Sequence, residues 1–273
     1  MSSALDYEQI AHLYDSYLHF TDDLPFFLQE CKKINGSVLE LMCGTGRISI
    51  PLLQAGVNLV CVDASPGMLN ILHQKLIARA LKADIMQADV TNLQLESTFD
   101  LVLLPFQSFH ELHTQAEQLK ALNEIGRSLK PNGRFICTLH NPRVRIKSII
   151  QGATHYGTFP RLDGDGFVSL SVDLNYDSET NFVRGYQTIC ELDSTHQKVA
   201  EHKLSIQFSL IEFDVFQQLI QLSGFAIEEV LGNYDYSPFV PDASPFIIVS
   251  TRKLVQEGRR QEAGGKKVDL TGV

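Results

Sequence analysis

Apolar residues recur along this chain in three registers, and each register predicts a different kind of element. From Tyr7 to Lys33 they fall three and four apart, at Ile10, Leu13, Tyr14, Tyr17 and Leu18 and again through Phe26, Phe27 and Leu28, with a break before Pro25. That spacing predicts two amphipathic helices. From Val38 to Leu139, short continuous apolar runs alternate with amphipathic stretches. The runs Val38 to Leu41, Asn58 to Val62, Ala83 to Gln87, Phe99 to Leu104 and Phe135 to Leu139 read as strands. Val38, Leu39 and Leu41, and the run Phe99 to Leu104, suit a parallel sheet covered by helices on both faces. The intervening helices are predicted to end near Leu53, to run from Ser65 to about Leu81, and to span Ala116 to Leu129. Gly56 closes the first in the usual way, and Lys130 to Arg134 turns the last into its strand. From Phe167 the period changes to two, over Phe167 to Asn175, Phe182 to Leu192 and Glu201 to Ile211. Polar turns separate these runs, which predict an antiparallel meander inserted after the fifth strand. Helical spacing returns from Glu212 to Ser223, and two strands, Ala226 to Leu231 and Phe246 to Thr251, follow.

The pattern divides the chain into a helical cap over residues 1–35, a core over 36–141 and 212–253, a β meander over 142–211, and a flexible tail over 254–273, where periodicity disappears. Composition narrows the class. The 273 residues are 44% hydrophobic, enough for a large core. A formal charge of −9 leaves no broad basic surface, so a small-molecule partner is expected and a nucleic acid is not. The five cysteines form no CxxC pair, so no metal site is expected and the thiols read as reduced. The N-terminus is too polar for a secretory signal and no apolar run approaches the ~20 residues of a membrane span. A cytoplasmic protein is expected, with its oligomeric state left open.

The chemistry is concentrated in Val38-Leu39-Glu40-Leu41-Met42-Cys43-Gly44-Thr45-Gly46-Arg47-Ile48-Ser49. Here a buried strand meets an acidic residue, a glycine-rich corner and the start of a helix whose free N–H groups face any ligand in the loop. A nucleotide phosphate would be repelled by Glu40; a ligand carrying an ammonium group suits the site better. Asp63 lies seventeen positions after Gly46, near the ~20-residue interval at which an acidic residue after the second strand accepts hydrogen bonds from a ribose diol. Ser65 and Pro66 are a helix cap and first helical residue. Glu40, Asp63 and Asp89 stand at three successive strand ends, the edge along which open α/β sheets bind ligands. Asp89 can equally cap the turn before Asn92, and Tyr14 and Tyr17 can be a packing face.

Glu40-Leu41-Met42-Cys43-Gly44-Thr45-Gly46 resembles motif I of the class I S-adenosylmethionine (SAM) dependent methyltransferases, with Met42 where glycine is usual. The resemblance extends over about residues 5–253. It implies a seven-stranded Rossmann-like sheet ending in an antiparallel hairpin, with SAM as cofactor. It assigns Tyr14, Glu40, Met42, Gly44, Thr45, Gly46, Arg47, Asp63, Ala64, Met68, Ala88, Asp89, Val90, Pro105 and Phe106 to the cofactor. Met68 would pack on the adenine, Asp89 would lie by its amino group, and the Tyr-Asp element at Tyr14 would fold over the cofactor. His110, directly after the fourth strand, would act with Tyr14 at the transferred methyl, as base or as positioner. The pattern is most similar to glycine and amino-sugar N-methyltransferases, which implies a small amine acceptor beneath the meander. Transfer to oxygen or carbon is the alternative. Gly44-Thr45-Gly46-Arg47-Ile48-Ser49 also fits a dinucleotide fingerprint with serine at the third glycine, so a nicotinamide oxidoreductase is a rival, as is a SAM-binding protein without turnover. Glu40, Asp89 and the terminal hairpin weigh against the oxidoreductase.

Overall fold

A computed structural model describes residues 7–149 and 153–254. The first six residues of the expected cap and the expected tail beyond Leu254 lie outside this range. Two helices, α1 (Ala11–Tyr17) and α2 (Leu24–Lys32), precede β1 (Ser37–Leu41), α3 (Ser49–Gln54), β2 (Asn58–Asp63), α4 (Pro66–Ala78), β3 (Asp84–Gln87) and β4 (Phe99–Leu104). A 3-10 turn (Ser108–Glu111), α5 (Gln115–Ser128) and β5 (Leu129–His140) complete the first half. Then come α6 (Pro142–Ser148), the strands β6 (Ala153–Pro160), β7 (Phe167–Asp177), β8 (Phe182–Leu192) and β9 (Lys198–Ser209), then α7 (Phe213–Leu222), β10 (Phe225–Leu231) and β11 (Phe246–Lys253).

The main sheet has seven strands in the order β10-β11-β5-β4-β1-β2-β3. All neighbours pair in parallel except β11, which runs antiparallel to both β5 and β10. The expected terminal hairpin is therefore present. Strand alternation sorts the apolar side chains between two layers. Leu39, Leu41, Val102, Leu104, Phe135, Cys137 and Leu139 meet α5 and α7 on one face. Val38, Leu101, Leu103 and Ile136 meet α2, α3 and α4 on the other. Glu40 alternates with Leu39 and Leu41 and so shares the Val38 face, where burial leaves it 1% exposed.

A second sheet, β6-β7-β8-β9, is antiparallel throughout. Sequence periodicity predicts three of its strands and misses β6. Ala153–Pro160 offers little apolar alternation, carries Gly157 at φ 154° beside a bulge, ends in proline and pairs along one edge only. Those are features of an edge strand, where ladder partners and packing exert least control on sequence. Ile10, Leu13 and Tyr17 of α1 pack on Val168, Leu170, Ile189 and Leu204 of this sheet. The first helix thus joins the two sheets rather than capping the first alone.

Three further boundaries differ from the sequence expectation. α4 stops at Ala78, since Ala80 has turned to φ 52°. β5 begins at Leu129, with the expected turn realised as a bulge: Phe99 pairs with Leu129 and Leu101 with Arg134, so the residues between Lys130 and Gly133 loop out of register. α6 was not predicted, although Asn141 caps it by accepting the Arg143 N–H and Pro142 occupies its first turn. The Asn141 amide also donates to the Pro241 and Ser244 carbonyls, tying the end of β5 to the loop before β11.

Candidate active site

At the C-terminal edge of the parallel strands a cavity of about 600 Å³ opens between the two sheets, within the usual range for small-ligand sites. The strand order puts the ends of β1, β2 and β3 along one half and the ends of β4 and β5, with β9, along the other.

The first half is built by β1, β2 and β3. Gly44 stands at φ 56° with open space where a Cβ would lie, so the backbone there is free to meet a ligand closely. Its N–H donates to Asp63 Oδ2 at 2.8 Å, while the Ser65 N–H donates to Oδ1 at 2.9 Å. The Asp63 carboxylate thus locks the glycine corner to the end of β2, and burial pushes its pKa upward. Glu40 accepts one hydrogen bond, from the Ser49 hydroxyl at 2.6 Å to Oε2. Burial raises its pKa to about 8, which leaves a carboxyl group enclosed, singly bonded and lining the cavity. Ala64, Ala88, Asp89 and Val90 line the same half, as does the buried Met68. Asp89 also performs the turn role open to it, accepting the Thr91 N–H at 2.7 Å; that bond engages Oδ1.

Two residues expected at the cofactor prove to have structural duties. Gly46 does not line the cavity. A Cβ there would stand 2.4 Å from Leu72 Cδ1, so it is the packing of the loop against α4 that requires glycine. Arg47 does line the cavity, but its guanidinium grips the buried Asp23 at 2.6 and 2.7 Å and lies over the Phe106 ring, 4.7 Å from its centroid. Thr45 donates to Asp15 of α1 at 2.6 Å, and Lys75 of α4 pairs with the same carboxylate. Asp15 therefore pins the first helix over the loop and brings Tyr14 to the cavity wall. Tyr14 stacks edge-on with Tyr7 and Tyr17, and burial raises its pKa. Tyr14 meets the cavity, whereas Tyr17 belongs to the core under the second sheet.

In the second half the chain leaves β4 through Pro105, then Phe106 and Gln107 at φ 55° and 58°. Two successive left-handed residues that are not glycine store strain. Gln107 is held in this shape by its N–H to Thr138 Oγ1 at 3.1 Å and its side-chain amide to the Tyr234 hydroxyl at 3.0 Å. His110 follows, 1% exposed. Its Nε2 accepts the His140 backbone N–H at 2.8 Å, so the neutral ring carries its proton on Nδ1. Nδ1 is enclosed without a hydrogen-bond partner among the described residues. Burial lowers the His110 pKa to about 4, opposed by the Ser209 backbone and helped by the Arg145 charge. The His140 ring stacks on it, 5.5 Å away and 13° from parallel, and is held neutral by burial, by His110 and by the Arg145 charge.

Sequence reasoning missed Tyr7, His113, Glu117, His140, Arg145, Ile206 and Phe208 on the cavity wall. His140 and Arg145 had a readable signal, since they follow the C-terminus of a core strand. Ile206 and Phe208 had none, because only the docking of β9 brings them there.

Residues 38–133 match the methyltransferase domain family. The cypemycin N-terminal methyltransferase of a Streptomyces species is 27% identical over 219 residues, covering 80% of this chain and 83% of that protein. Among solved structures, an S-adenosylmethionine-dependent methyltransferase from Clostridium acetobutylicum superposes with TM-score 0.77 at 18% identity, covering 91% and 99% of the two chains. A sugar N-methyltransferase from a Streptoalloteichus species superposes with TM-score 0.68 at 19% identity, covering 89% and 91%. With the seven-stranded order, the antiparallel hairpin and the motif, these matches support a class I SAM-dependent methyltransferase. SAM is its cofactor. The first half of the cavity suits that ligand: an open glycine corner, carboxylates at three strand ends for ribose, adenine amino and ammonium donors, and no cluster of basic side chains for a phosphate. Among the described residues no group of side chains could hold a metal ion, and no helix is long and apolar enough to cross a membrane.

Proposed function

We propose that this methyltransferase transfers the SAM methyl group to an amine nitrogen of a small acceptor held in the second half of the cavity. SAM brings a methyl group on an electron-poor sulfonium, so the chain must chiefly align the acceptor and exclude water. Alignment can supply ~7–11 kcal/mol of barrier lowering, against a factor of ~10²–10⁴ for a general base. The observation that carries the amine reading is the state of His110. The ring nitrogen able to take a proton already accepts the His140 N–H, and burial makes the ring a poor base. A hydroxyl needs a base before it attacks; an uncharged amine brings its own lone pair. The relative acting on the cypemycin N-terminus supports the same choice.

In this reading Glu40, Gly44, Asp63, Met68 and Asp89 hold the cofactor, Tyr14 closes over it and His110 positions the acceptor. The meander, through Ile206 and Phe208, roofs the acceptor half. The test is a screen of matched amines and alcohols with methyl-labelled SAM, with the position of the label read by NMR. N-methyl products are expected. Label on oxygen or carbon alone would overturn the amine reading while leaving the methyltransferase intact.

A further inference from the structure

Arg145 projects from α6 onto the wall of the acceptor half. Its only side-chain partner among the described residues is the Ser148 hydroxyl, at 3.2 Å from Nη1, and its Nε is enclosed without any partner. This is unusual for the molecule. Every other described arginine pairs with a carboxylate, apart from Arg79, which lies exposed and away from the cavity. Arg47, the other arginine on the wall, is neutralised by Asp23. Its field acts on His110 and His140, both held neutral. An unpaired guanidinium beside a cavity, in a chain of net charge −9, needs a reason. A half-enclosed arginine without an anion forfeits charge-assisted hydrogen bonds worth roughly twice a neutral one.

Building on the methyltransferase reading above, we propose that Arg145 is the anchor for a carboxylate carried by the acceptor, so that the substrate is a carboxylate-bearing amine. The guanidinium fork matches a carboxylate in two parallel bonds. A single cation balances a monoanion. A doubly charged phosphate would be left undercompensated beside Glu111 and Glu117, which line the same half. The sheet order separates this anchor from the cofactor, since α6 follows β5 whereas Glu40, Asp63 and Asp89 follow β1, β2 and β3. The acceptor's amine would then point from Arg145 past the two histidines toward Tyr14 and the loop after β1.

The experiment uses the full chain, methyl-labelled SAM, and a panel of α-, β- and γ-amino acids each paired with its methyl ester. Free acids are expected to exceed their esters in kcat/KM by about tenfold or more, the scale of a lost charge-assisted hydrogen bond. Arg145→Ala should close that gap through KM while leaving SAM affinity unchanged, and Arg145→Lys should restore part of it. Acids and esters reacting alike in the parent protein, or no acid reacting, would overturn the proposal without any variant having to fold. Loss of SAM affinity in a folded Arg145→Ala would also overturn it, since the arginine would then hold the cofactor's own carboxylate. Failure of the parent protein to bind SAM would instead remove the reading on which the proposal rests.

Discussion

Met42 occupies the left-handed region at φ 55°, at the turn where β1 enters the glycine corner. The conformation explains why glycine is usual there: a side chain in that region costs ~1–2 kcal/mol. Met42 is retained with its side chain partly buried against the core cluster on that face of the sheet. Truncation should therefore reverse the ordinary ranking. Met42→Gly is expected to be more stable than Met42→Ala by ~1 kcal/mol, although glycine normally loses to alanine on entropy; denaturant unfolding of the two variants checks this. Glu40 gives a pH-dependent counterpart. Its folded pKa of about 8 exceeds the unfolded value, so the folded state holds a proton that the unfolded chain releases. The stability this contributes is complete below the ordinary carboxylate pKa and is lost as pH rises to about 8. In the ligand-free protein Glu40→Gln should match the parent near pH 4.5 and gain on it up to pH 8, by at most ~4 kcal/mol. Melting curves across that range decide the matter; a pH-independent difference would mean that Glu40 is already ionised.

At the scale of elements, the proposed function makes the first helix the piece on which cofactor access depends. Asp15 fastens it to Thr45 and Lys75, and Glu8, just before it, accepts the Gly67 N–H at the start of α4. Asp15→Ala is expected to raise the SAM Kd several-fold, by loss of roughly 1–2 kcal/mol of charge-assisted bonding, and to speed proteolysis before Phe20. Unchanged SAM affinity would show that the helix does not govern the loop. Which elements the sequence foretold follows from where their information lies. The central strands β1 and β4 are buried on both faces over most of their length, so their composition is constrained at nearly every position, and they were legible with the rest of the main sheet. Asp15 and Tyr14 were visible as a Tyr-Asp pair, but the helix's attachment to the second sheet was not, because Val168 and Ile189 are remote in sequence. β6 and α6 escaped since one is an edge strand and the other a short helix hidden in an Asn-Pro turn.

For the whole molecule, the half of the cavity built by β1, β2 and β3 was legible and the other half, apart from the segment after β4, was not, for a physical reason. Glu40, Gly44, Asp63 and Asp89 lie at the ends of consecutive strands, so local motifs report the site. Ile206, Phe208 and Arg145 reach it only when a separate sheet and a connecting helix dock. Such a shared cavity should couple the two sheets: saturating SAM, at 100 times its Kd, adds ~2.7 kcal/mol to the stability of any unit that unfolds as one with the site. The account stands most directly on Asp63, whose carboxylate fixes the glycine corner and lines the cavity, and which is proposed to meet the cofactor's ribose. Calorimetric titration of S-adenosylhomocysteine into the parent protein and Asp63→Ala is the measurement. The account predicts saturable binding by the parent and an affinity loss of ~1–3 kcal/mol in the variant. Equal affinity in the two proteins, with both folded, would contradict it.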